Sequence, residues 1–318
     1  MRSISSRRRP SLTTSSALRF RRSGEGGDRT ARETQILGWI LVAPAMVAVA
    51  ALVLYPLIHG FKQSIRSGGF LFGEQPGYVG TRNYRDVLSD QTSRDAMRHT
   101  VEYVVLAVSL ELVLGIFVAV TLHRVFRGRG LVLAILILPW ALPSVVSGVL
   151  WRRVFDPDNG LLNSVLMQLH VITQPHVWLA GGRGAIVYIT LVHVWGVLPL
   201  VSLIFLAGLQ GIPDEVYAAS AVDGATPFRQ FRHITLPLLL PSMAVAATVG
   251  TIAAINIFDE IYVLNGSALN TRSIVMQVYN TTFNQANFST GTALAFLIGG
   301  ATALFGILYT FAFRRATV

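Results

Sequence analysis

The chain has 318 residues, of which 52% are hydrophobic and 13% are charged, and its mean hydropathy is +0.54. This composition is too apolar for a soluble domain of the same length and predicts an integral membrane protein. The absence of cysteine excludes disulfides and thiolate metal sites. A net charge of +10 also occurs in nucleic-acid-binding proteins, but the basic residues here cluster in the N-terminal tail and at the ends of apolar runs, so we expect no nucleic-acid partner.

The N-terminal residues form a polar tail. Met1 to Arg32 is rich in arginine and serine and poor in apolar residues, which predicts a disordered cytoplasmic tail over residues 1–35. Binding to the anionic headgroups of membrane lipids is a second hypothesis for these arginines. The apolar run that follows exceeds the roughly 7–15 residues of a signal-peptide core and lacks a clear cleavage site, so we expect no signal peptide.

Six apolar runs follow the tail, and each is long enough to cross about 30 Å of hydrocarbon as a helix. They predict an all-α integral membrane fold with six transmembrane helices in one domain over residues 36–315. Prolines inside several runs are tolerated in membrane helices when neighbouring groups satisfy the freed carbonyls. The six runs are Ile36–Ile58, Thr100–Leu122, Leu131–Trp151, Ile186–Leu209, Leu238–Tyr262 and Thr292–Phe313.

The distribution of arginine predicts the orientation of these spans. The short loop between the second and third runs carries Arg124, Arg127 and Arg129 and no acidic residue. Because short cytoplasmic loops are enriched in basic residues, we expect this loop on the cytoplasmic side. Both termini, and the loop between the fourth and fifth runs, are then cytoplasmic as well.

A polar segment separates the fourth run from the fifth. Pro213 can begin a helix there because the first turn needs no N–H from it, and Asp214 and Glu215 then meet the positive end of the helix dipole. Asp223-Gly224 is typical of a helix end, and Thr226-Pro227 is typical of a second helix start. The pattern predicts two short helices joined by a glycine turn, which form a rigid projection.

This segment, residues 210–237, resembles the coupling loop of permease subunits in binding-protein-dependent ABC importers. The family motif is E-A-A, three residues, G, nine residues, then I-x-L-P, and five residues match it at the required spacing: Ala219, Gly224, Ile234, Leu236 and Pro237. The residues around the motif are similar to those of the maltose and glycerol-3-phosphate type, which imports sugars and glycerol phosphates: Ile212, Pro213, Glu215, Tyr217, Val222, Asp223, Gly224 and Ala225.

The segment departs from the family motif at two positions. Ala218 replaces the motif glutamate, and Ser220 replaces the last alanine. The glutamate that couples permease to ATPase in the family therefore has no counterpart, and Glu215, three residues earlier and near the same helix face, is a hypothetical substitute. The residues that the resemblance assigns to ATPase coupling are Glu215, Tyr217, Ala218, Ala219, Ser220, Asp223, Gly224, Ala225, Phe228, Ile234 and Pro237.

Weaker matches to the same family lie outside this loop, in the expected order along the chain. Gly80-x-x-Asn83-Tyr84 follows the first run, and Trp151 to Asn163 follows the third. Phe258-Asp259-x-Ile261-Tyr262 ends the fifth run. The resemblance then covers residues 37–315, which is all but the tail.

The resemblance implies one permease subunit, forming half of the translocation path for a sugar or related polyol in a bacterial inner membrane. Its implied partners are a second homologous permease, two ATP-binding subunits that hold ATP and Mg²⁺, an extracellular solute-binding protein or lipoprotein, and membrane lipids. The sequence contains no GxxxxGK[ST] phosphate-binding loop and no HExxH metal motif. We therefore expect neither an enzyme nor a bound cofactor in this chain.

Polar and aromatic residues inside the runs are candidates for the substrate path. Glu111 lies near the middle of the second run, where a charge is costly unless it is paired, protonated or in contact with water. Rings that stack on sugar faces, together with amides and carboxylates that accept hydroxyl protons, suit a polyol site. Ordinary hydrogen bonding between helices is the alternative for each of them. The remaining candidates are His193, Trp195, Asn256, Asp259 and Tyr262.

Three alternatives remain open from the sequence. A proton-coupled secondary transporter would use Glu111 as the proton carrier, but we find no obvious inverted repeat. A membrane enzyme built on His193 would need a paired nucleophile or metal set that the spacing does not provide. An ABC permease for peptides, phosphate or amino acids would share the coupling loop and differ in the solute.

Overall fold

The structure is a computed structural model, and it describes residues 24–67, 77–124 and 126–314. Within these ranges the secondary structure is helical, apart from one isolated antiparallel bridge between Arg66 and Tyr78. The chain divides into two compact units, Met1–Gly60 and Phe61–Val318.

The first unit is dominated by one long apolar helix. Helix α1 (Gly24–Val49) continues through a π-helical turn, Ala50–Leu54, into α2 (Tyr55–Ser64), whose last residues belong to the second unit. The part Gln35–Ser64, 30 residues long, is apolar enough to cross a membrane. Its apolar side chains are exposed, as expected of a helix surrounded by hydrocarbon.

The predicted tail differs from the structure where the two overlap. We expected disorder over residues 1–35, whereas α1 already begins at Gly24. Extending an existing helix by a few turns adds one hydrogen bond for each residue fixed, so a long apolar helix readily continues into polar sequence. Residues 1–23 lie outside the described residues.

The second unit contains the remaining helices. Between the long helices lie short ones and two further π-helical turns, Phe231–Thr235 and Asn280–Asn284. In chain order the helices are α3 (Arg82–Ser89), α4 (Gln91–His123), α5 (Arg129–Ala141), α6 (Ser144–Val154), α7 (Leu161–Gln168), α8 (Gly182–Gln210), α9 (Asp214–Val222), α10 (Pro227–Gln230), α11 (Leu236–Leu238), α12 (Leu240–Ile255), α13 (Asp259–Asn265), α14 (Ile274–Tyr279) and α15 (Phe288–Arg314).

Four helices among the described residues are long and apolar enough to cross a membrane, and two bent pairs raise the number to six if each pair forms one span. The prediction of an all-α fold with six transmembrane helices is confirmed in this form. The four are the helix over Gln35–Ser64, α4, α8 and the part of α15 over Phe288–Tyr309. The bent pairs are α5 with α6, and residues 227–238 with α12.

The third apolar run is broken, although its composition predicts one span over Leu131–Trp151. Helix α5 ends at Ala141, α6 starts at Ser144, and their axes differ by 99°. Leu142 has extended backbone angles, φ −81° and ψ 137°. A residue before proline is sterically biased away from the helical region, so Pro143 explains why the helix stops here.

The fifth apolar run is broken twice. Residues 227–238 meet α12 at an angle of 66°, where Pro241 has no N–H to continue the hydrogen-bond ladder. Helix α12 then ends at Ile255, and α13 begins only at Asp259. The predicted run Leu238–Tyr262 therefore consists of a helix and a separate short helix around a three-residue gap.

Helices α4 and α8 form the centre of the second unit. Gly115 of α4 lies against α8, where an added Cβ would be 2.8 Å from Val201 Cγ1 and 3.2 Å from Phe205. Small residues allow this close approach between membrane helices. Two core clusters lie along α8. The first contains Tyr103, Phe155, Ile189, Ile261 and Met276 among others, and the second contains Ala119, Val201, Phe205, Leu209, Ile212, Leu239 and Ala246 among others.

Candidate functional site

Two places in the second unit have the geometry of a functional site: the coupling loop, residues 210–237, and a polar cavity between the broken helices. The first arm of the coupling loop is α9. Pro213 caps this helix from outside, with φ −63° and ψ 138°, one position earlier than a first-turn proline. Asp214 and Glu215 occupy the first turn, where they offset the partial positive charge of the free N–H groups.

A glycine turn joins the two arms of the coupling loop. Gly224 has φ +76°, in the left-handed region that favours glycine. Its N–H donates to the Ala221 carbonyl at 3.0 Å, and the Ala225 N–H donates to the Ser220 carbonyl at 2.9 Å. These bonds satisfy the free carbonyls at the end of α9 and fix the direction of the chain beyond it.

The second arm of the coupling loop starts at Thr226. Its hydroxyl accepts a hydrogen bond from the Arg229 N–H at 3.4 Å, and Pro227 occupies the first helical position. Helix α10 continues through the π-helical turn at Phe231–Thr235 into α11, and so leads directly towards α12. The two predicted short helices with a glycine turn are therefore present.

Side-chain hydrogen bonds tie the two arms of the coupling loop together. Gln230 Nε2 donates to Ser220 Oγ at 2.8 Å and to the Tyr217 carbonyl at 3.3 Å. The Tyr217 and Thr235 hydroxyls are hydrogen-bonded at 3.0 Å. The arms are therefore held at a fixed angle by contacts that the sequence motif does not describe.

The coupling loop is also attached to the core. Ile212 is buried in the second core cluster, and Tyr217 packs against that cluster. The outward side carries two strongly exposed apolar side chains, Val222 (88% exposed) and Phe228 (72%). Glu215, Ala218, Ala219, Asp223 and Pro237 are exposed as well, and Ser220, Ala225 and Ile234 are half-buried.

The second site is a cavity of about 310 Å³ at the two helix breaks. One wall is the bend between α5 and α6, and the other is the gap between α12 and α13, with α8 between them. We call it the polar cavity. Its lining residues are Pro139, Trp140, Leu142, Ser144, His193, Gly196, Val197, Ala253, Asn256, Ile257, Phe258, Asp259 and Glu260.

Side chains satisfy the backbone at the gap beside the polar cavity. Ser273 Oγ donates to the Ile257 carbonyl at 2.7 Å, and Asn256 Nδ2 donates to the Ile252 carbonyl at 2.7 Å. Non-helical backbone at membrane depth is tolerated where it is buried in protein or lines a polar cavity, and both conditions are met here.

Three ionisable side chains connect the polar cavity to the protein interior. His193 Nδ1 lies 3.2 Å from Glu260 Oε1, and His193 Nε2 lies 3.9 Å from Glu111 Oε1. Their side chains are 5%, 13% and 1% exposed, for His193, Glu260 and Glu111 respectively. Glu111 fits against Gly250 of α12, where an added Cβ would overlap its Oε2.

The structure brings together some of the predicted substrate-path residues and not others. His193, Asn256 and Asp259 line the polar cavity, and Glu111 lies behind His193. Trp195 does not line it and instead stacks edge-on against Trp151, with ring centroids 5.6 Å apart. Tyr262 belongs to an aromatic cluster, 5.7 Å from Phe258 and 5.8 Å from Tyr279.

As candidates for the substrate path, sequence reasoning missed four polar or aromatic lining residues, Trp140, Ser144, Phe258 and Glu260. Pro139 and Pro143, which flank Trp140, were a signal that the third run could bend and expose its neighbours. Glu260 follows Asp259 directly in the sequence. Both residues lie in the first turn of α13 and line the same wall of the cavity, and the start of this helix at Asp259 is known only from the structure.

A larger cavity, of about 580 Å³, lies between α4, α12 and α15. Its lining is almost entirely apolar, including Val101, Val105, Leu297 and Phe305. A polyol would leave most of its hydroxyl groups without partners there, at a cost of about 1–3 kcal/mol each. The polar cavity is therefore the better candidate for a hydrophilic solute.

Two residues of the weaker motifs have structural contacts. Asn83 Nδ2 donates to the carbonyls of Ser64 and Arg66, both at 2.8 Å. Asn163 is buried and bonds the loop that follows α7, accepting from Trp178 Nε1 at 2.9 Å. No group of three or more His, Cys, Asp or Glu side chains that could hold a metal ion occurs among the described residues.

Comparison with known proteins gives consistent matches over most of the chain. Residues 111–317 match the family described as binding-protein-dependent transport system inner membrane component. The trehalose/maltose transport system permease protein MalF of Thermococcus litoralis is 35% identical over 275 residues, covering 86% of this chain and 92% of that protein. The trehalose transport system permease protein SugA of Mycobacterium tuberculosis is 30% identical over 280 residues, covering 88% of this chain and 89% of that protein.

A solved structure has a similar fold. A chain in the crystal structure of a bacterial ABC transporter involved in the import of the acidic polysaccharide alginate aligns with a TM-score of 0.79, covering 91% of this chain and 99% of that chain. The sequences are 18% identical, so this likeness concerns the fold alone.

Proposed function

The chain belongs to the family of inner membrane components of binding-protein-dependent transport systems, and from this premise we propose that the solute it transports is a sugar or a related polyol. As a member of this family it is a transmembrane permease subunit of an ABC importer. ATP hydrolysis in such importers belongs to separate subunits, so this chain is not itself an enzyme.

The polar cavity carries the proposal of a polyol solute. Trp140 and Phe258 offer aromatic rings, and Ser144, Asn256 and Asp259 offer hydrogen-bonding groups, on opposite walls of one cavity. Aromatic rings pack against the apolar faces of sugars, while amide and carboxyl groups bond their hydroxyls. The names of the trehalose and trehalose/maltose permeases among the relatives support the same solute class.

The coupling loop is proposed to dock onto an ATP-binding subunit at the cytoplasmic face. Its exposed apolar residues Val222 and Phe228, with Glu215 and Ala219 nearby on α9, suit a protein interface. The basic loop at Arg124, Arg127 and Arg129 supports the same orientation, with both termini in the cytoplasm of a bacterial cell.

The proposed complex contains four further proteins or protein copies. A second homologous permease would complete the path, two ATP-binding subunits would bind ATP and Mg²⁺, and an extracellular solute-binding protein would deliver the solute. ATP-driven closure of the ATP-binding subunits would move the coupling loop, and the spans would alternate between inward- and outward-facing states.

Reconstitution tests this function against the proton-coupled alternative. The chain would be purified with its partner permease and ATP-binding subunits, placed in proteoliposomes, and supplied with binding protein and labelled trehalose. We expect accumulation that requires ATP and persists when a protonophore collapses the proton gradient. Accumulation driven by the proton gradient without ATP would contradict the proposal of an ATP-driven importer. ATP-driven uptake of amino acids, without uptake of any sugar, would contradict the proposal that the solute is a polyol.

A further inference from the structure

The polar cavity is lined by more acidic than basic side chains. Among its thirteen lining residues, all within the described part of the chain, two are carboxylic acids, Asp259 and Glu260, and none is lysine or arginine. His193 is the one lining residue that can carry a positive charge. The fold alone does not decide whether the solute is neutral or anionic, because the alginate transporter of similar fold is described as importing an acidic polysaccharide.

The Glu260 carboxylate is held in place rather than free to turn away. Its Oε1 lies 3.2 Å from Nδ1 of His193, and this imidazole is almost fully buried on α8. The other ring nitrogen of His193 lies 3.9 Å from Glu111 Oε1. The imidazole is therefore placed between two carboxylates, and any positive charge on it is shared between them instead of being directed into the cavity.

Glu111 is itself fixed behind His193. It is buried within α4, and the missing side chain of Gly250 on α12 leaves the space that its carboxylate occupies. Three helices thus contribute to one row, Glu111–His193–Glu260, whose last member lines the cavity. A group that is already oriented loses less conformational entropy when it binds a solute.

One feature of the cavity favours anions, namely the N-terminus of α6 at Ser144. A helix N-terminus is equivalent to about half a positive charge. Asp259 and Glu260 place two carboxyl groups at the same cavity, and two full negative charges outweigh this half charge when both groups are ionised.

We propose that Glu260, positioned by His193 and Glu111, makes this permease selective for uncharged polyols over sugars that carry a phosphate, sulfonate or carboxylate group. Sugar hydroxyls donate hydrogen bonds to a carboxylate, whereas an anionic group offers acceptors only and brings a second negative charge. This inference rests on the proposed function and identifies the solute class within it.

Direct binding to the full complex tests the inference without the selectivity of the binding protein. The complex would be placed in lipid nanodiscs, and equilibrium dialysis would compare two matched pairs of labelled probes: trehalose with trehalose 6-phosphate, and glucose with glucuronate. We expect saturable binding of at least one neutral probe, with its anionic partner bound about tenfold more weakly or worse.

Isosteric variants identify the residue responsible. Glu260→Gln keeps the shape and removes the charge, so we expect the preference for the neutral probe to fall to about threefold or less. His193→Leu should lower it as well, because Glu260 loses its partner; a purely structural role for His193 would change total binding but not the ratio. Glu102→Gln, on α4 and outside the cavity lining, is the control and should keep the wild-type ratio.

Several results would overturn the inference. The first is equal binding of the neutral and anionic probes to the wild-type complex. The second is an unchanged ratio in Glu260→Gln. The third is that neither trehalose nor glucose binds saturably. ATP-driven uptake of trehalose in proteoliposomes separates the two proposals: if uptake occurs and the ratio is unaffected by Glu260→Gln, only the selectivity assigned to Glu260 is wrong.

Discussion

Ser220 stands where the family motif has its last alanine, and its contacts explain why the chain tolerates the change. Its hydroxyl accepts from Gln230 Nε2 at 2.8 Å and donates to the Tyr217 carbonyl at 2.8 Å. The serine therefore adds a hydrogen bond between the two arms of the coupling loop. Ala218, which replaces the motif glutamate, has no comparable polar group, and Glu215 remains the hypothetical substitute on the exposed side of α9.

Gln230→Ala tests whether the hydrogen bonds between the arms matter for transport. The variant removes both donated bonds, each worth about 0.5–1.5 kcal/mol. We expect ATP-dependent uptake to fall severalfold at unchanged membrane abundance, because a looser loop transmits less movement. Ser220→Ala is the matched variant and should have a smaller effect, since Gln230 keeps its hydrogen bond to the Tyr217 carbonyl. Normal uptake in Gln230→Ala would show that transport does not need the hydrogen bonds between the two arms.

Gly250→Ala tests the fit between α12 and the buried Glu111. The added methyl group would overlap the Glu111 carboxylate, and overpacking of this kind typically costs about 1–3 kcal/mol. We expect a lower melting temperature of the purified complex, measured by fluorescence-detected size-exclusion chromatography after heating. Adding Glu111→Ala should recover part of the loss, because the two changes share one contact.

Gly300→Ala, on α15, is the control for this change. A Cβ at Gly300 would meet nothing within 4 Å, so the melting temperature should stay at the wild-type value. An equal loss in both glycine variants would mean that the loss reflects glycine content and not contact with Glu111.

At the scale of the helices, the sequence predicted the elements better than their continuity. The coupling loop was predictable because proline, threonine and glycine mark each helix start and end locally. The breaks in the third and fifth runs were harder to predict, because membrane helices tolerate prolines such as Pro143 and Pro241, and a proline alone does not decide whether a run bends by 99°. The polar cavity depends on those breaks, so its lining could be found only in part, through His193, Asn256 and Asp259.

Gly224→Pro tests the turn between the arms of the coupling loop. Proline is restricted to φ near −65°, whereas Gly224 has φ +76°. We expect uptake to be abolished while the protein remains in the membrane, as measured by uptake beside immunoblots of membrane fractions. Gly224→Asn should retain most activity because asparagine tolerates the left-handed region. Wild-type uptake in Gly224→Pro would contradict the need for a defined turn.

At the scale of the whole unit, two helices connect the coupling loop to the polar cavity. Helix α8 passes from His193 at the cavity to Gln210 at the start of the loop, and α12 passes from Leu240, just after the loop, to Ala253 at the cavity. Helix α12 has 16 residues and so spans about 24 Å. Because both helices are packed along the core clusters, a displacement of the coupling loop would move α8 and the α12–α13 wall of the polar cavity relative to the α5–α6 wall.

The central claim is that the coupling loop faces the cytoplasm and binds a separate ATP-hydrolysing subunit. The chain has no cysteine, so Ala218→Cys introduces a single reactive thiol on the exposed side of α9. Labelling with a membrane-impermeant maleimide would then be compared in right-side-out and inside-out vesicles, before and after removal of peripheral subunits. We predict labelling only in inside-out vesicles, and only after the ATP-binding subunits are stripped. Labelling from the outer face, or labelling that ignores those subunits, would contradict the account.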